Sequence, residues 1–347
     1  MADLNTLDAN IDCPVIDDNV TCWMLDQGAP PLFICAAADR LQDKPAFFAW
    51  VREHQDQLDA LLMRFGALVF RGFPLVTADD FDEFAALYPP YAKGYVGGAS
   101  PRAKVTGKVM EATRLAPQFK ISLHQEMAYL KTYPPRIAFF CLTPAESGGE
   151  TIIASMREFT RRLPESIRAR LEEHGVRGVR NYGPAGQSHG GMAKHIDDKG
   201  WDEGFNTSDK AEVEKICLDM GMEPNWNADG SLTVVTYTDA FTAHPITGEN
   251  FYRNILHSNY VGYENFAQDN KALEDARVHQ KFNTGYALGN GVPLTREESR
   301  VLENNLDDLT VAWDWQAGDV MLLDNLQIAH GRNPFKGPRE TLVALLN

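Results

Sequence analysis

His124 and Glu126 stand two residues apart in Ile121-Ser122-Leu123-His124-Gln125-Glu126, and His330 follows far downstream in Asp324-Asn325-Leu326-Gln327-Ile328-Ala329-His330-Gly331-Arg332. Two imidazoles and one carboxylate are donors that hold non-haem Fe(II) on one face and leave the other face open to substrate and O₂. The chemistry expected of such a trio is oxygenation. On a strand, residues i and i+2 project to the same side, so His124 and Glu126 can reach one metal; on a helix they would diverge. The apolar run Asp319-Val320-Met321-Leu322-Leu323-Asp324 predicts a strand ahead of His330, so that two strands distant in sequence share the ion. Zinc accepts the same donors, so a barrel that binds metal without redox turnover, as a structural zinc protein or a regulator, is the reading from a different class.

So short a motif recurs by chance, and its weight comes from its surroundings. Leu123-His124-Gln125-Glu126-Met127-Ala128-Tyr129, Gly148-Gly149-Glu150-Thr151-Ile152-Ile153-Ala154-Ser155 and His330-Gly331-Arg332-Asn333-Pro334-Phe335-Lys336-Gly337-Pro338-Arg339 resemble, in order and separation, the taurine dioxygenase/TfdA-like family of Fe(II)/2-oxoglutarate oxygenases. Phe70-Arg71-Gly72-Phe73, Gly97-Gly98-Ala99-Ser100-Pro101-Arg102 and His244-Pro245-Ile246-Thr247-Gly248-Glu249 resemble its branch that oxidises amino acids and carrier-bound aminoacyl groups, such as the SyrP-like hydroxylases of antibiotic biosynthesis. The similarity spans about residues 60 to 345.

The resemblance implies a double-stranded β-helix (jelly-roll) core, Fe(II) held by His124, Glu126 and His330, and 2-oxoglutarate whose far carboxylate is held by Thr151 and Arg339. A keto acid that chelates iron through its C1 carboxylate and keto oxygen leaves a second carboxylate to be buried, and a buried anion needs a hydrogen-bonding cation. Arginine meets it with a planar fork that stays charged. Arg332 is the rival for that role. Arg339 is preferred because it opens Arg339-Glu340-Thr341-Leu342-Val343-Ala344-Leu345, whose alternation predicts a closing strand beside the one carrying His330. Halogenating relatives replace the metal-binding carboxylate with a small residue. Glu126 is retained here, so the resemblance implies hydroxylation, with O₂ consumed and succinate and CO₂ released. His-x-Glu in place of the His-x-Asp of taurine dioxygenase itself points to the amino-acid branch and away from a sulfonate.

Composition agrees with a soluble enzyme. The 347-residue chain is 44% hydrophobic and 23% charged, ordinary values for a globular protein, and large β-barrels of this length commonly form one domain. Its net charge of −15 repels nucleic-acid phosphates and anionic membranes, so neither is an expected partner. The five cysteines include no C-x-x-C pair and read as reduced thiols. The N-terminus has neither the basic start nor the apolar run of a signal peptide, so a cytoplasmic enzyme is expected. Relatives often self-associate, which leaves a homo-oligomer open.

The elements that must position the site read as mainly β with flanking helices, in a single domain over 1–347 with an N-terminal helical and strand extension over about 1–65. Apolar spacing predicts helices over Pro45 to Phe65 and from Met156 through Arg170, and an N-capped helix from Thr77. Strands are predicted at Ala67 to Phe70, Ile137 to Leu142, Thr233 to Thr238, Asn250 to Ile255 and Asp319 to Leu323. The Gly/Asp/Asn-rich stretch over about 181–230 reads as an irregular substrate lid. His189 and His195 within it read as exposed rather than ligating.

Arg102, Arg180 and Asn254 are the residues nominated to contact a substrate carboxylate. His244, before Pro245, reads as a hydrogen-bonded scaffold residue. The substrate expected is a free or carrier-tethered amino acid or derivative. An acidic carrier could dock on Arg161, Arg162, Arg168, Arg170, Arg177 and Arg180, although such a cluster is commonly a solvated helix face. A catabolic dioxygenase of a small sulfonate or aryloxy acid, and a desaturase or epoxidase of the same mechanism, are the alternatives within the class.

Overall fold

A computed structural model describes residues 13–26, 28–37, 39–93, 104–112, 115–186, 200–258 and 284–347. Its largest sheet has eight strands, in the order β1 (Val20–Met24), β2 (Leu32–Ala36), β3 (Ala67–Arg71), β16 (Val320–Asp324), β7 (Arg136–Thr143), β19 (Glu340–Leu346), β5 (Val109–Glu111) and β4 (Lys104–Thr106). The inner strands are buried almost throughout because both faces are covered, which is why they read as continuous apolar runs. Period-two alternation sorts their side chains. Leu68, Phe70, Ala138, Phe140, Val320, Leu322, Leu342 and Ala344 join the helices α1 (Lys44–Glu53), α2 (Gln55–Phe65) and α3 (Ala78–Ala85) in one core. Ala67, Val69, Ile137, Phe139, Met321, Leu323, Val343 and Leu345 face the interior of the roll.

Opposite that sheet lies the short sheet β6 (Ile121–His124), β17 (Ile328–Arg332) and β9 (Thr151–Ser155). A four-stranded sheet of β11 (Met222–Trp226), β12 (Leu232–Thr238), β10 (Val176–Tyr182) and β15 (Thr284–Leu288) contributes Tyr182, Leu232 and Val234 to the same interior core. Two short pairs, β13 (Phe241–Ala243) with β14 (Asn250–Tyr252) and β18 (Phe335–Lys336) with β8 (Ser147–Gly148), complete the strands among the described residues. The remaining described helices are α4 (Met156–Arg161), α5 (Glu165–His174), α6 (Trp201–Phe205), α7 (Lys210–Asp219) and α8 (Arg296–Asp307). This is the jelly-roll core with flanking helices that the sequence implied.

Several boundaries differ from expectation. The helix predicted over Pro45 to Phe65 divides at His54, whose nitrogen still bonds Trp50 O. The one from Met156 divides before Pro164, which lacks the N–H needed to continue it. The strand expected over Asn250 to Ile255 ends at Tyr252. The stretch expected to be an irregular lid holds α6, α7 and β11, while residues 187–199, with His189 and His195, lie outside the described residues. The predicted closing strand is present as β19 but pairs with β7 and β5, not with β17. The expectation that it lies beside the His330 strand is corrected. All five cysteines are free thiols, and no helix among the described residues is long and apolar enough to cross a membrane.

Candidate metal and co-substrate site

β17 is the middle strand of the short sheet, and this register sets His330 opposite His124 of β6 and Arg332 opposite Thr151 of β9. Gly331 permits the approach. A Cβ there would stand 2.5 Å from Ile121 O and 3.2 Å from the Leu123 nitrogen. The two imidazole centroids are 4.5 Å apart, and His330 Nε2 lies 3.8 Å from Glu126 Oε2. One ligand atom from each of His124, Glu126 and His330 lies within 4.8 Å of the others. The three side chains foreseen as ligands therefore meet at one point.

Glu126 arrives by a different route from the one expected. β6 ends at His124, and Glu126 enters a turn in which Met127 adopts φ 57°. Asn325, 0% exposed, clasps that turn from the β16–β17 connection. Its Oδ1 accepts from the Glu126 nitrogen at 2.7 Å, and its Nδ2 donates to Glu126 O at 3.0 Å and Pro134 O at 2.9 Å. Gln125 Nε2 adds a bond to Leu326 O at 2.8 Å. The carboxylate is thus aimed by a polar clasp and not by the strand pleat.

The imidazoles are oriented as well. His124 Nδ1–H donates to Ser122 O at 2.8 Å, which leaves Nε2 as the metal-facing nitrogen. His257 Nε2–H donates to Leu123 O at 2.7 Å and so braces the same strand. Burial pulls His257 down to about 4, so it is neutral at pH 7. His244 donates from Nε2 to Asp324 Oδ2 at 2.9 Å while its Nδ1 accepts from the Ile246 and Thr247 nitrogens. It is the scaffold residue expected. Asp324 in turn accepts from the Leu326 and Gln327 nitrogens and shapes the connection that carries Asn325.

Arg339 reaches this region from the start of β19. Its Nε donates to Gly149 O at 2.7 Å and its Nη2 to Thr151 Oγ1 at 3.1 Å. Among the described residues no carboxylate lies within ion-pair distance of it, and burial lowers it to about 10. A half-buried cation held by neutral acceptors is suited to an incoming carboxylate. Arg332 is engaged elsewhere: its Nη atoms donate to Leu115 O, Ala116 O and Phe119 O at 2.8–3.1 Å. It staples the loop leading to β6. Burial, and then the neighbouring Arg339, lower it too to about 10.

The substrate nominees separate. Arg102 lies outside the described residues. Asn254 is buried, with its Nδ2 donating to Ala240 O and its Oδ1 accepting from the Leu256 nitrogen. Arg180, on β10, is 9% exposed, with its Cζ 4.2 Å above the Tyr129 ring. Arg253 was not foreseen; it braces the segment after the Glu126 turn through Leu130 O and Thr242 Oγ1, both at 2.9 Å. Asn325 was visible only as one of three polar residues, with Asp324 and Gln327, between two apolar runs. Its partners are about 200 residues away in sequence, beyond the reach of local periodicity.

Residues 37–345 match the model of the Taurine catabolism dioxygenase TauD, TfdA family. The chain belongs to that family. As a TauD/TfdA member it is a non-haem Fe(II)/2-oxoglutarate-dependent dioxygenase. It is 33% identical over 307 residues to a clavaminate synthase-like protein of Arabidopsis thaliana, with 87% of each chain covered. It is 27% identical over 323 residues to the dapdiamide synthesis protein DdaC of Enterobacter agglomerans, with 93% of each covered. PvcB of Pseudomonas aeruginosa superposes with a TM-score of 0.54 at 15% identity, covering 97% of this chain and 95% of that one, and shares the fold. The donor set and the half-buried Arg339 of this TauD/TfdA chain fit ferrous iron and a dicarboxylic keto acid.

Proposed function

We propose that this oxygenase hydroxylates an aliphatic carbon of an amino acid or amino-acid derivative. His124, Glu126 and His330 would hold the iron, and Thr151 and Arg339 the far carboxylate of 2-oxoglutarate. The observation that carries the assignment is the meeting of those three ligands, with the half-buried Arg339, which has no ion-pair partner among the described residues, bonded to Thr151 on the strand paired with that of His330. Bound iron would supply O₂ activation and C–H oxidation, coupled to conversion of 2-oxoglutarate and O₂ to succinate and CO₂ with one oxygen atom delivered to substrate.

The chain's own residues set the conditions for that chemistry. Ser122 O fixes the His124 tautomer, and Asn325 fixes the Glu126 turn. Phe139, 4.9 Å from the His330 ring, covers that imidazole with apolar surface and keeps water off it. Arg339 and Thr151 orient the co-substrate.

The His-x-Glu pattern and the relationship to a dapdiamide synthesis protein support a biosynthetic amino-acid substrate. A free substrate is favoured over a carrier-tethered one because three arginines of the basic cluster already have carboxylate partners: Arg161 pairs with Glu158, Arg168 with Glu172 and Arg170 with Glu298. A sulfate-ester substrate is the second reading, supported by 22% identity to an alpha-ketoglutarate-dependent sulfate ester dioxygenase of Pseudomonas putida. Succinate release should be measured with Fe(II), 2-oxoglutarate and O₂ against a panel of L-amino acids and alkyl sulfates. Stimulation by an amino acid is expected. Stimulation by alkyl sulfates alone would replace this reading with the second.

A further inference from the structure

β10 buries Val176, Gly178, Arg180 and Tyr182 on one face, and it is an inner strand of its sheet. That face looks into a small, mostly apolar cavity where Tyr129, Arg180, Tyr182 and Tyr286 stand among Leu130, Met222 and other apolar side chains. Gly178 keeps it open, because a Cβ there would stand 2.6 Å from Thr236 Oγ1 and 3.2 Å from the Tyr286 ring. The groups facing the Arg180 guanidinium are the phenols of Tyr129, Tyr182 and Tyr286, each hydrogen-bonded to it. A guanidinium has only donors, so each phenol oxygen accepts from it and keeps its own O–H to donate. Burial raises the Tyr182 phenol to about 12 and raises that of Tyr286, so both remain protonated donors at pH 7.

The cavity shares one wall with the segment that follows Glu126. Tyr129 lies three residues beyond Glu126 in the turn held by Asn325, and its ring stacks on Arg180. We infer that Arg180, with Tyr129, Tyr182 and Tyr286, forms the pocket that binds the substrate's carboxylate and so selects carboxylic acids over their neutral analogues. The proposal rests on the amino-acid reading above and names the residue that sets its specificity. An anion there meets one fixed charge and several oriented hydroxyls in a desolvated setting, where charge-assisted bonds are strong. The substrate body would pass the Tyr129 ring toward the ligand trio.

The test compares L-amino acids with their primary amides in succinate-release assays on the wild-type enzyme and on Arg180→Met, Arg180→Lys and Tyr129→Phe. Wild type should prefer acid to amide by about 100-fold in kcat/KM, in line with the loss of a charged hydrogen-bonding partner. Arg180→Met should raise KM for the acid about 30-fold or more and bring the acid-to-amide ratio near one, with KM for 2-oxoglutarate within twofold. Arg180→Lys should restore part of the preference, and Tyr129→Phe should raise KM several-fold. Equal use of acid and amide by wild type, or an unchanged ratio in folded Arg180→Met, would overturn the pocket while leaving the amino-acid reading in place. Should Arg180→Met fail to fold, the wild-type ratio and the Tyr129→Phe KM decide. If no amino acid stimulates an enzyme that still turns over 2-oxoglutarate, the pocket and the amino-acid reading both fall.

Discussion

The sheet β6–β17–β9 and the sheet β11–β12–β10–β15 contribute to one interior core, yet they hold their polar groups in different ways. Around the metal ligands the holding bonds run to the backbone: Asn325 to Glu126 and Pro134, Gln125 to Leu326, His124 to Ser122, His257 to Leu123. Around Arg180 they run between side chains, a guanidinium among three phenols. Backbone-anchored groups hold position whatever ligand arrives, whereas side-chain clusters are easily rebuilt by substitution. The first arrangement suits chemistry common to a family, the second suits the choice of substrate.

The largest expected effect strikes the backbone-anchored side. Glu126→Ala should abolish succinate formation, beyond the ~10–100-fold cost of losing an outer partner, while circular dichroism shows an intact fold. A fully active variant would remove Glu126 from the ligand set.

Next, two arginines seven residues apart on the same Phe335 ring should fail in opposite ways. Arg339→Gln should raise KM for 2-oxoglutarate by about 100-fold with little change in thermal midpoint, since charge-assisted bonds to a buried anion are worth ~1.5–3 kcal/mol. Arg332→Gln should lower stability by roughly 2–3 kcal/mol, because three loop carbonyls lose their donor, and leave that KM within a few-fold. Reversal of the two phenotypes would exchange their roles.

Asn325→Ala should then weaken Fe(II) affinity by about 10–100-fold, read by chelator competition. An unchanged affinity would show that the clasp does not orient Glu126.

The last effect, which touches stability and not turnover, concerns Glu303 on α8, 3% exposed, with Oε2 lacking a partner among the described residues. Burial, and then Asp307, push it up to about 7, opposed by Lys120 and by the Ser122 hydrogen bond. The unfolded chain loses this proton near 4.5 and the folded chain keeps it to about 7, so wild-type stability falls as pH rises through that window. Glu303→Gln should remove up to roughly 3 kcal/mol of that fall, measured as denaturation midpoints at pH 5 and pH 8. Parallel curves for the two proteins would contradict it.

The trio was legible because His124 and Glu126 carry their relation in adjacent sequence, and because His330 and Arg339 sit in a recognisable run. The long strands were legible from their apolar content. The manner in which Glu126 is held was not, since it depends on Asn325 meeting it across the fold. Nor was the partner of β19, because alternation announces a strand without saying which strand it will pair with. Arg180 could be singled out as a cation, but its three tyrosines are dispersed over positions 129, 182 and 286 and come together only when β10 and β15 align against the Glu126 turn.

The Asn325 clasp has one more consequence. Because Glu126 is gripped by its own peptide groups, the seat for the ion is cut before any ion arrives, and chelation should empty it reversibly without melting the protein. A preset seat with nitrogen and oxygen donors also cannot discriminate by refolding around its guest. Occupancy among divalent first-row metals will then follow their general affinity order, which rises from manganese and iron toward copper. Mismetallation is therefore the natural hazard for this oxygenase, and its iron content will track the metals supplied to it.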